Sequence, residues 1–324
     1  MYNTAYHTTD LSKEKILITG GAGFIGSHLA EYLLKYGAAK VRVIDNFITG
    51  RKENVELFKN ISRYEFIEGD ICDAADCARA CEGMSMLLHQ AALGSVPRSI
   101  KDPLASNRIN VDGFLNMLVA ARDAGIARVV YASSSSVYGD HPGLPKVEDK
   151  IGKQLSPYAV SKYTNELYAH VFGLNYGMKI IGLRYFNIFG PRQDPNGQYA
   201  AVIPKWIDML KRGEQPTING DGSNTRDFTF VENAVQANIK AITTENENAF
   251  GQVYNIACGS QFSLLELFNS LKEIIGSNIE PIFGPNRAGD IPQSLADVSK
   301  AKNNFGYDPS FGFKDGLKIT VESF

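Results

Sequence analysis

Tyr158 stands four positions before Lys162 in the run Ser156-Pro157-Tyr158-Ala159-Val160-Ser161-Lys162. Proline suits the first turn of a helix, and residues three or four apart share a helical face. The spacing therefore brings an ammonium toward a phenol. A free tyrosine titrates at about pH 10, and a fixed positive charge beside it favours the phenolate and lowers that value. The chemistry on offer is removal of a proton from an alcohol or sugar hydroxyl at neutral pH. Solvated helix faces carry such pairs too, so the weight of this one depends on the company it keeps.

A second group of residues points to a nucleotide. Gly20, Gly23 and Gly26 fall between an apolar run, Ile16-Leu17-Ile18-Thr19, and a segment of helical periodicity from Phe24 to Lys35. Glycines between a strand and a helix let the chain turn tightly and bring backbone N–H groups and the helix N-terminus against a pyrophosphate. Asp45 ends the next apolar run, where a carboxylate accepts both hydroxyls of an adenosine ribose and repels a 2′-phosphate. NAD is therefore favoured over NADP. Asp70 and Ile71 follow a third run and suit an adenine contact, although an exposed turn would also use an aspartate. Ser133-Ser134-Ser135-Ser136 closes a later run and would place hydroxyls in the same crevice, or simply form a polar loop.

These residues need a frame, and the pattern of apolar runs supplies one. Strands are expected at Val41–Asp45, Tyr64–Ile67, Met84–Leu88, Arg128–Ala132 and Lys179–Arg184, with helices over Asn107–Ala124 and Tyr158–Tyr176. Alternation of this kind predicts an α/β fold with a Rossmann-type doubly wound parallel sheet. Past residue 185 glycine and proline become frequent and the segments shorten, with helices expected over Val231–Thr244 and Ser263–Ile275. The reading is a nucleotide-binding domain over 1–185 and a smaller mixed α/β substrate lobe over 186–324, interleaved near an approximate boundary.

The bulk numbers restrict the partners. The chain has 324 residues and a net charge of -2, which gives no reason to expect nucleic acid or an anionic membrane. Cys72, Cys77, Cys81 and Cys258 follow no zinc or redox spacing, and His7, His28, His89, His141 and His170 are scattered, so no metal site is expected. Residues 1–15 are polar and lack an apolar signal core. A cytoplasmic protein is the expectation.

With the glycine turn, Asp45, the serine run and the Tyr158/Lys162 pair in place, the chain resembles the extended short-chain dehydrogenase/reductase family over essentially its whole length. It is most similar there to nucleotide-sugar 4-epimerases acting on UDP-N-acetylhexosamines. The resemblance rests on Asp45-Asn46-Phe47, on the run from His89 to Ser99, and on Val137-Tyr138-Gly139-Asp140. It continues through Leu183-Arg184-Tyr185-Phe186-Asn187, Thr225-Arg226-Asp227 and Arg287-Ala288-Gly289-Asp290. The resemblance implies Ser134, Tyr158 and Lys162 as the catalytic set, and NAD-dependent epimerisation through a transient 4-keto sugar.

It also assigns the cofactor to Gly20, Gly23, Phe24, Ile25, Gly26, Asp45, Asn46, Phe47, Gly50, Asp70 and Ile71, and farther on to Gln90, Ala91, Ala92, Asn110, Ser133 and Tyr185, with Tyr158 and Lys162. Tyr185 and Phe186 fall beside the nicotinamide. To the UDP-sugar it assigns Ser95, Ser134, Ser135, Tyr158, Asn187, Gln193, Ala201, Val202, Ile203, Arg226, Arg287, Asp290 and Ser294. Arginines among these suit a diphosphate, which they grip bidentately.

Two departures narrow the implied reaction. Dehydratases of the family carry Asp-Glu where this chain has Ser135 and Ser136, so elimination of water lacks its acid/base pair. A tyrosine at the position of Ser294 restricts relatives to unacetylated hexoses, and a serine leaves room for a 2-N-acetyl group, with UDP-Glc and UDP-Gal still admissible. A UDP-uronic or UDP-acetamido-uronic acid epimerase is the alternative, with Arg98 near a carboxylate. A non-catalytic NAD-sensing scaffold would have no use for Ser134, Tyr158 and Lys162 together. The resemblance further implies a homodimer formed through the helices at 107–124 and 158–176.

Overall fold

The computed structural model describes residues 1–196, 200–285 and 292–324. Seven parallel strands form its central sheet: β1 (Lys15–Thr19), β2 (Lys40–Asp45), β3 (Tyr64–Glu68), β4 (Met86–His89), β5 (Arg128–Ser134), β6 (Lys179–Tyr185) and β7 (Gln252–Ile256). They lie in the order β7-β6-β5-β4-β1-β2-β3. This is the Rossmann-type doubly wound arrangement. The strand order reverses at β1, which pairs with β2 on one side and β4 on the other. The carboxyl ends of β1 and β4 therefore splay their loops apart and open a crevice there.

Alternate strand residues feed two cores, as the two-residue period of a strand requires. Ile16, Ile18, Val41, Val43, Leu88 and Ile181 face helix α1 (Phe24–Lys35) and the helix Val231–Thr243. Leu17, Ile44, Leu87, Val129 and Ile180 face α2 (Gly113–Asp123) and α3 (Pro157–Tyr176). Ser156 caps α3 through its side chain, with Pro157 in the first turn. The helix expected from Asn107 is not continuous: Pro103–Asn107 is α-helical, Arg108–Asp112 is a π-helical turn, and α2 starts at Gly113. Such a turn shifts the helical register by one residue and is common beside functional sites.

The later part of the chain builds its own core from Phe189, Trp206, Phe228, Phe230, Phe268 and Phe313. Short strand pairs and the helices Val202–Lys211, Leu264–Ile275 and Phe313–Glu322 surround it. The helix Val231–Thr243 and strand β7 nevertheless belong to the sheet layer, beyond residue 185. No helix among the described residues is long and apolar enough to cross a membrane.

The first ten residues form no helix but lie across α1. The Tyr2 hydroxyl meets His28 Nδ1 at 2.7 Å, and Tyr6 stacks on Tyr32 with its hydroxyl donating to Glu232 at 2.6 Å. His28 reaches on through Nε2 to the Pro191 carbonyl at 2.9 Å.

Candidate active site

At the carboxyl ends of the strands lies a cavity of about 590 Å³. Its floor is the turn after β1. Gly20 has φ +68°, and a Cβ there would sit 2.8 Å from the Ala91 backbone, while one on Gly26 would sit 2.3 Å from the Gly20 carbonyl oxygen. Only glycine allows this close approach of turn and helix. Phe24, Ile25 and Gly26, the start of α1, line the cavity together with Gly20 and Gly23. Asp45 lines it from the end of β2 and accepts from the N–H groups of Ala22 and Phe47 at 3.0 and 2.9 Å. Burial raises its carboxyl pKa, and these N–H donors work against the rise. Asn46, Asp70, Ile71, Gln90, Ala91, Ala92 and Ser95 continue the wall.

A second cavity of about 580 Å³ adjoins the first, and Ser134, Tyr158 and Asn187 line both. The Ser134 hydroxyl accepts the Ser136 N–H at 3.2 Å and is hydrogen-bonded to Tyr158. The acid–base balance of the pair differs from the sequence expectation. Burial pushes the Tyr158 phenol up, with the Ser134 hydrogen bond opposing, rather than a neighbouring ammonium bringing it down. Lys162, 2% exposed, aims its ammonium at the Ala132 carbonyl oxygen at 2.8 Å. Burial lowers its pKa to about 8, with Glu166 as the opposing influence.

Glu166 anchors this floor. Its carboxylate accepts from Ser133 Oγ at 2.6 Å and from Arg184 Nε and Nη2 at 2.9 and 2.8 Å. Ser133 lines the first cavity, but its hydroxyl is committed to this buried network. Tyr185 likewise donates its hydroxyl to Gln90 Oε1 at 3.0 Å and accepts from Asn238 Nδ2 at 2.7 Å.

Ser135, Arg226 and Ser294 line the second cavity, with Phe186 and Lys146. Arg226 donates through Nη1 to the Thr225 carbonyl at 2.8 Å. The neighbouring Asp227 is fully buried and binds three segments together. Its carboxylate accepts from the N–H groups of Cys258, Gly259 and Ala296 at 3.0, 3.1 and 3.3 Å. Burial pushes its pKa up to about 6 against those donors. The carboxylate thus holds the Ser294 wall beside Arg226, a role that no local pattern around Asp227 in the sequence records.

The family model of the NAD dependent epimerase/dehydratase family matches residues 16–257. The chain belongs to this family. A UDP-glucose 4-epimerase of Mycolicibacterium smegmatis is 36% identical over 312 residues, covering 96% of this chain and 98% of the relative. A solved UDP-N-acetylglucosamine 4-epimerase from Methanobrevibacter ruminantium, in complex with UDP-N-acetylmuramic acid, is 37% identical with a TM-score of 0.91, covering 96% of this chain and 98% of that one. A UDP-glucuronic acid 4-epimerase from Bacillus cereus, in complex with UDP-glucuronic acid and NAD, is 34% identical with a TM-score of 0.88, covering 95% and 98%.

For a member of this NAD-dependent epimerase/dehydratase family the first cavity fits its cofactor. The close glycine turn leaves the α1 N-terminus open to a pyrophosphate, and the Asp45 carboxylate faces the adjoining wall. Several assigned residues stand elsewhere. Asn110, matched also to support of the Lys162 region, lies behind the wall: its side chain accepts from the Leu93 N–H at 2.7 Å and donates to Ser161 Oγ, next to Lys162, at 3.1 Å, while Ile109 of the same π turn lines the cavity. Phe47, at φ +59°, turns to Phe66 with ring centroids 5.3 Å apart. Gly50 packs on Asp45, where a Cβ would lie 2.6 Å from Oδ1. Ala201 lines the first cavity with Gln193, but Ile203 is buried in the later core and Val202 packs against that core. Arg287 and Asp290 lie outside the described residues. Arg98 lines the first cavity rather than the second.

Proposed function

We propose that this enzyme, of the UDP-sugar 4-epimerase type, inverts C4 of UDP-N-acetylhexosamines and interconverts UDP-GlcNAc and UDP-GalNAc. The observation that carries the substrate reading is Ser294. It stands with Ser135 in the wall of the second cavity, where its small side chain leaves space for a 2-N-acetyl group. Ser134 and Tyr158, shared by both cavities, support the reaction reading.

In this reading Tyr158 takes the proton of the sugar 4-hydroxyl and Ser134 shares the hydrogen bond as it moves. NAD, which the residues lining the first cavity would hold, would supply the acceptor and donor of the C4 hydride. Lys162 holds a positive charge beneath the reacting groups and compensates the phenolate as it forms. Asn187 and Arg226 hold the diphosphate while the 4-keto hexose turns. Ser135 and Ser136 stand where a dehydratase needs carboxylates, so the keto sugar is returned rather than dehydrated. An NMR time course of purified protein with UDP-GlcNAc and no added cofactor is expected to show UDP-GalNAc. Absence of turnover with UDP-GlcNAc, with UDP-Glc turned over, overturns the substrate reading.

We also infer a homodimer. Val160, Leu167, Val171 and Leu174 lie along one face of α3 and are 52%, 51%, 45% and 71% exposed. Such a stripe on a long helix is an association surface, and a second copy offers the same stripe in return.

A further inference from the structure

His28 stands one turn after Phe24 in α1 and is 1% exposed. Its ring touches three segments of the chain. Nδ1 lies 2.7 Å from the Tyr2 hydroxyl, Nε2 lies 2.9 Å from the Pro191 carbonyl oxygen, and the ring stands at 82° to that of Phe24 with centroids 5.8 Å apart. A carbonyl only accepts, so Nε2 carries a hydrogen. Burial pushes the ring pKa down to about 3, with the Arg192 charge adding to the fall and the Pro191 bond opposing it. At neutral pH the ring is therefore uncharged, and the Nε2 hydrogen is its only one. Nδ1 is bare and accepts from the Tyr2 hydroxyl. The Glu31 carboxylate, 4.0 Å from Nδ1, is beyond hydrogen-bond distance. The relay thus runs one way, from Tyr2 to His28 to Pro191.

This relay joins two parts of one cavity wall from behind. Phe24 lines the first cavity from α1, while Asn187, Ile188 and Gln193 line it from the segment that contains Pro191. Arg192 adds an ion pair to Glu31 of α1. Tyr2 has holds of its own besides His28. Its N–H donates to Glu232 Oε1 at 2.6 Å, its carbonyl accepts the Tyr36 hydroxyl at 2.8 Å, and its ring meets Tyr32 with centroids 5.7 Å apart. Tyr2 has φ +59° and Arg192 φ +68°. A residue with a side chain persists in that left-handed region where its surroundings impose it, and such strain gathers at functional sites.

We propose that Tyr2 and His28 are positioning residues: their hydrogen bond fixes the imidazole tautomer, holds the Pro191 segment against α1, and so sets the affinity for the sugar nucleotide. This rests on the reading that Asn187 and Gln193 meet the sugar nucleotide. Without the Tyr2 hydroxyl, Nδ1 becomes a buried acceptor with no donor. The other tautomer, with its hydrogen on Nδ1, then gains the Glu31 carboxylate and leaves the Pro191 carbonyl without its donor.

Tyr2→Phe deletes one hydroxyl and leaves the ring on Tyr32. Nitrogen-15 imidazole spectra of NAD-loaded protein at neutral pH are expected to show His28 as the Nε2–H tautomer in wild type and as a mixture with Nδ1–H in the variant. Calorimetry with UDP-GlcNAc and with UDP-Glc is expected to give dissociation constants about three- to tenfold weaker in the variant, as for loss of one hydrogen bond. KM should rise alike, with kcat within about twofold of wild type. Tyr6→Phe loosens the same segment at Glu232 without touching the relay, and is expected to lower the melting temperature and leave both affinities unchanged. An Nδ1–H tautomer in wild type overturns the proposal whether or not the variants fold. Wild-type affinity in Tyr2→Phe overturns it too, as does equal weakening in Tyr6→Phe, because the segment would then act through stability alone. A wild-type protein that binds neither sugar nucleotide sinks the reading of Asn187 and Gln193 instead.

Discussion

The ammonium of Lys162 donates to the main-chain oxygen of Ala132 at 2.8 Å, two residues before the end of β5. Lys162 is therefore tied to the sheet, and its charge sits under the cavity at a position that the strand determines. Tyr158 and Ser134 lie above it on α3 and at the end of β5. The proton chemistry proposed for these residues would occupy the seam between one helix and one strand.

Holding that charge costs stability. The folded Lys162 pKa of about 8 lies below the ordinary 10.5, so the unfolded chain binds the proton more tightly. The penalty is present in full below pH 8 and fades as the pH rises toward 10.5, and it is on the order of 3 kcal/mol at neutral pH. Lys162→Met is expected to melt a few degrees higher than wild type at pH 7 while losing epimerisation, with the difference in melting temperature shrinking above pH 9. A variant that melts lower at pH 7 contradicts this account.

Tyr158→Phe removes the proposed base and little volume. The expected result is a fall in kcat of roughly 10²- to 10⁴-fold, with NAD still recovered from the purified protein at wild-type ratio. Turnover near the wild-type level would remove Tyr158 from the chemistry.

Glu166 and Arg184 form a buried pair with two contacts under 3 Å. Glu166→Gln leaves the guanidinium uncompensated, and a loss of roughly 3–5 kcal/mol is expected in urea unfolding. Combining it with Arg184→Met is expected to restore part of the loss. Additive losses in the double variant would show that the two side chains act separately.

Asp227→Asn exchanges an acceptor pair for one acceptor and one amide donor facing backbone N–H groups. With the Ser294 wall loosened, KM for the sugar nucleotide is expected to rise about tenfold or more, as for loss of hydrogen bonds to a charged group, with a smaller change in kcat. Unchanged KM would deny Asp227 this positioning role.

Leu167→Glu together with Leu174→Glu is expected to convert a dimer to monomers in sedimentation equilibrium at micromolar concentration. A wild-type protein that sediments as a monomer refutes the homodimer directly.

Much of this molecule is legible in its chain because its signals are local. Phe24–Lys35 reads as a helix from its apolar spacing and is one, and Ile16-Leu17-Ile18 reads as a buried strand because both neighbours and both faces are apolar. Other features depend on partners far away in sequence. Periodicity gives Lys162 a face but not the Ala132 carbonyl as acceptor. A π turn displaces Asn110 by one register step, which no apolar pattern records. A positive φ turns Phe47 off the cavity, and the helix beginning at Val202 sends Ile203 into the core. Asp227 gains its meaning only when the segment near 296 returns to meet it.

Strand β7 comes from residues 252–256 and pairs in register with β6 from Ile181 to Tyr185. A fragment ending at residue 185 would expose that side of β6 as a bare edge, with Ile181 and Leu183 flanking unpaired amides and carbonyls. Such an edge templates intermolecular pairing. The molecule is therefore a poor subject for dissection but a good one for complementation: two pieces cut in an exposed loop should aggregate when made apart and recover a working sheet when made together.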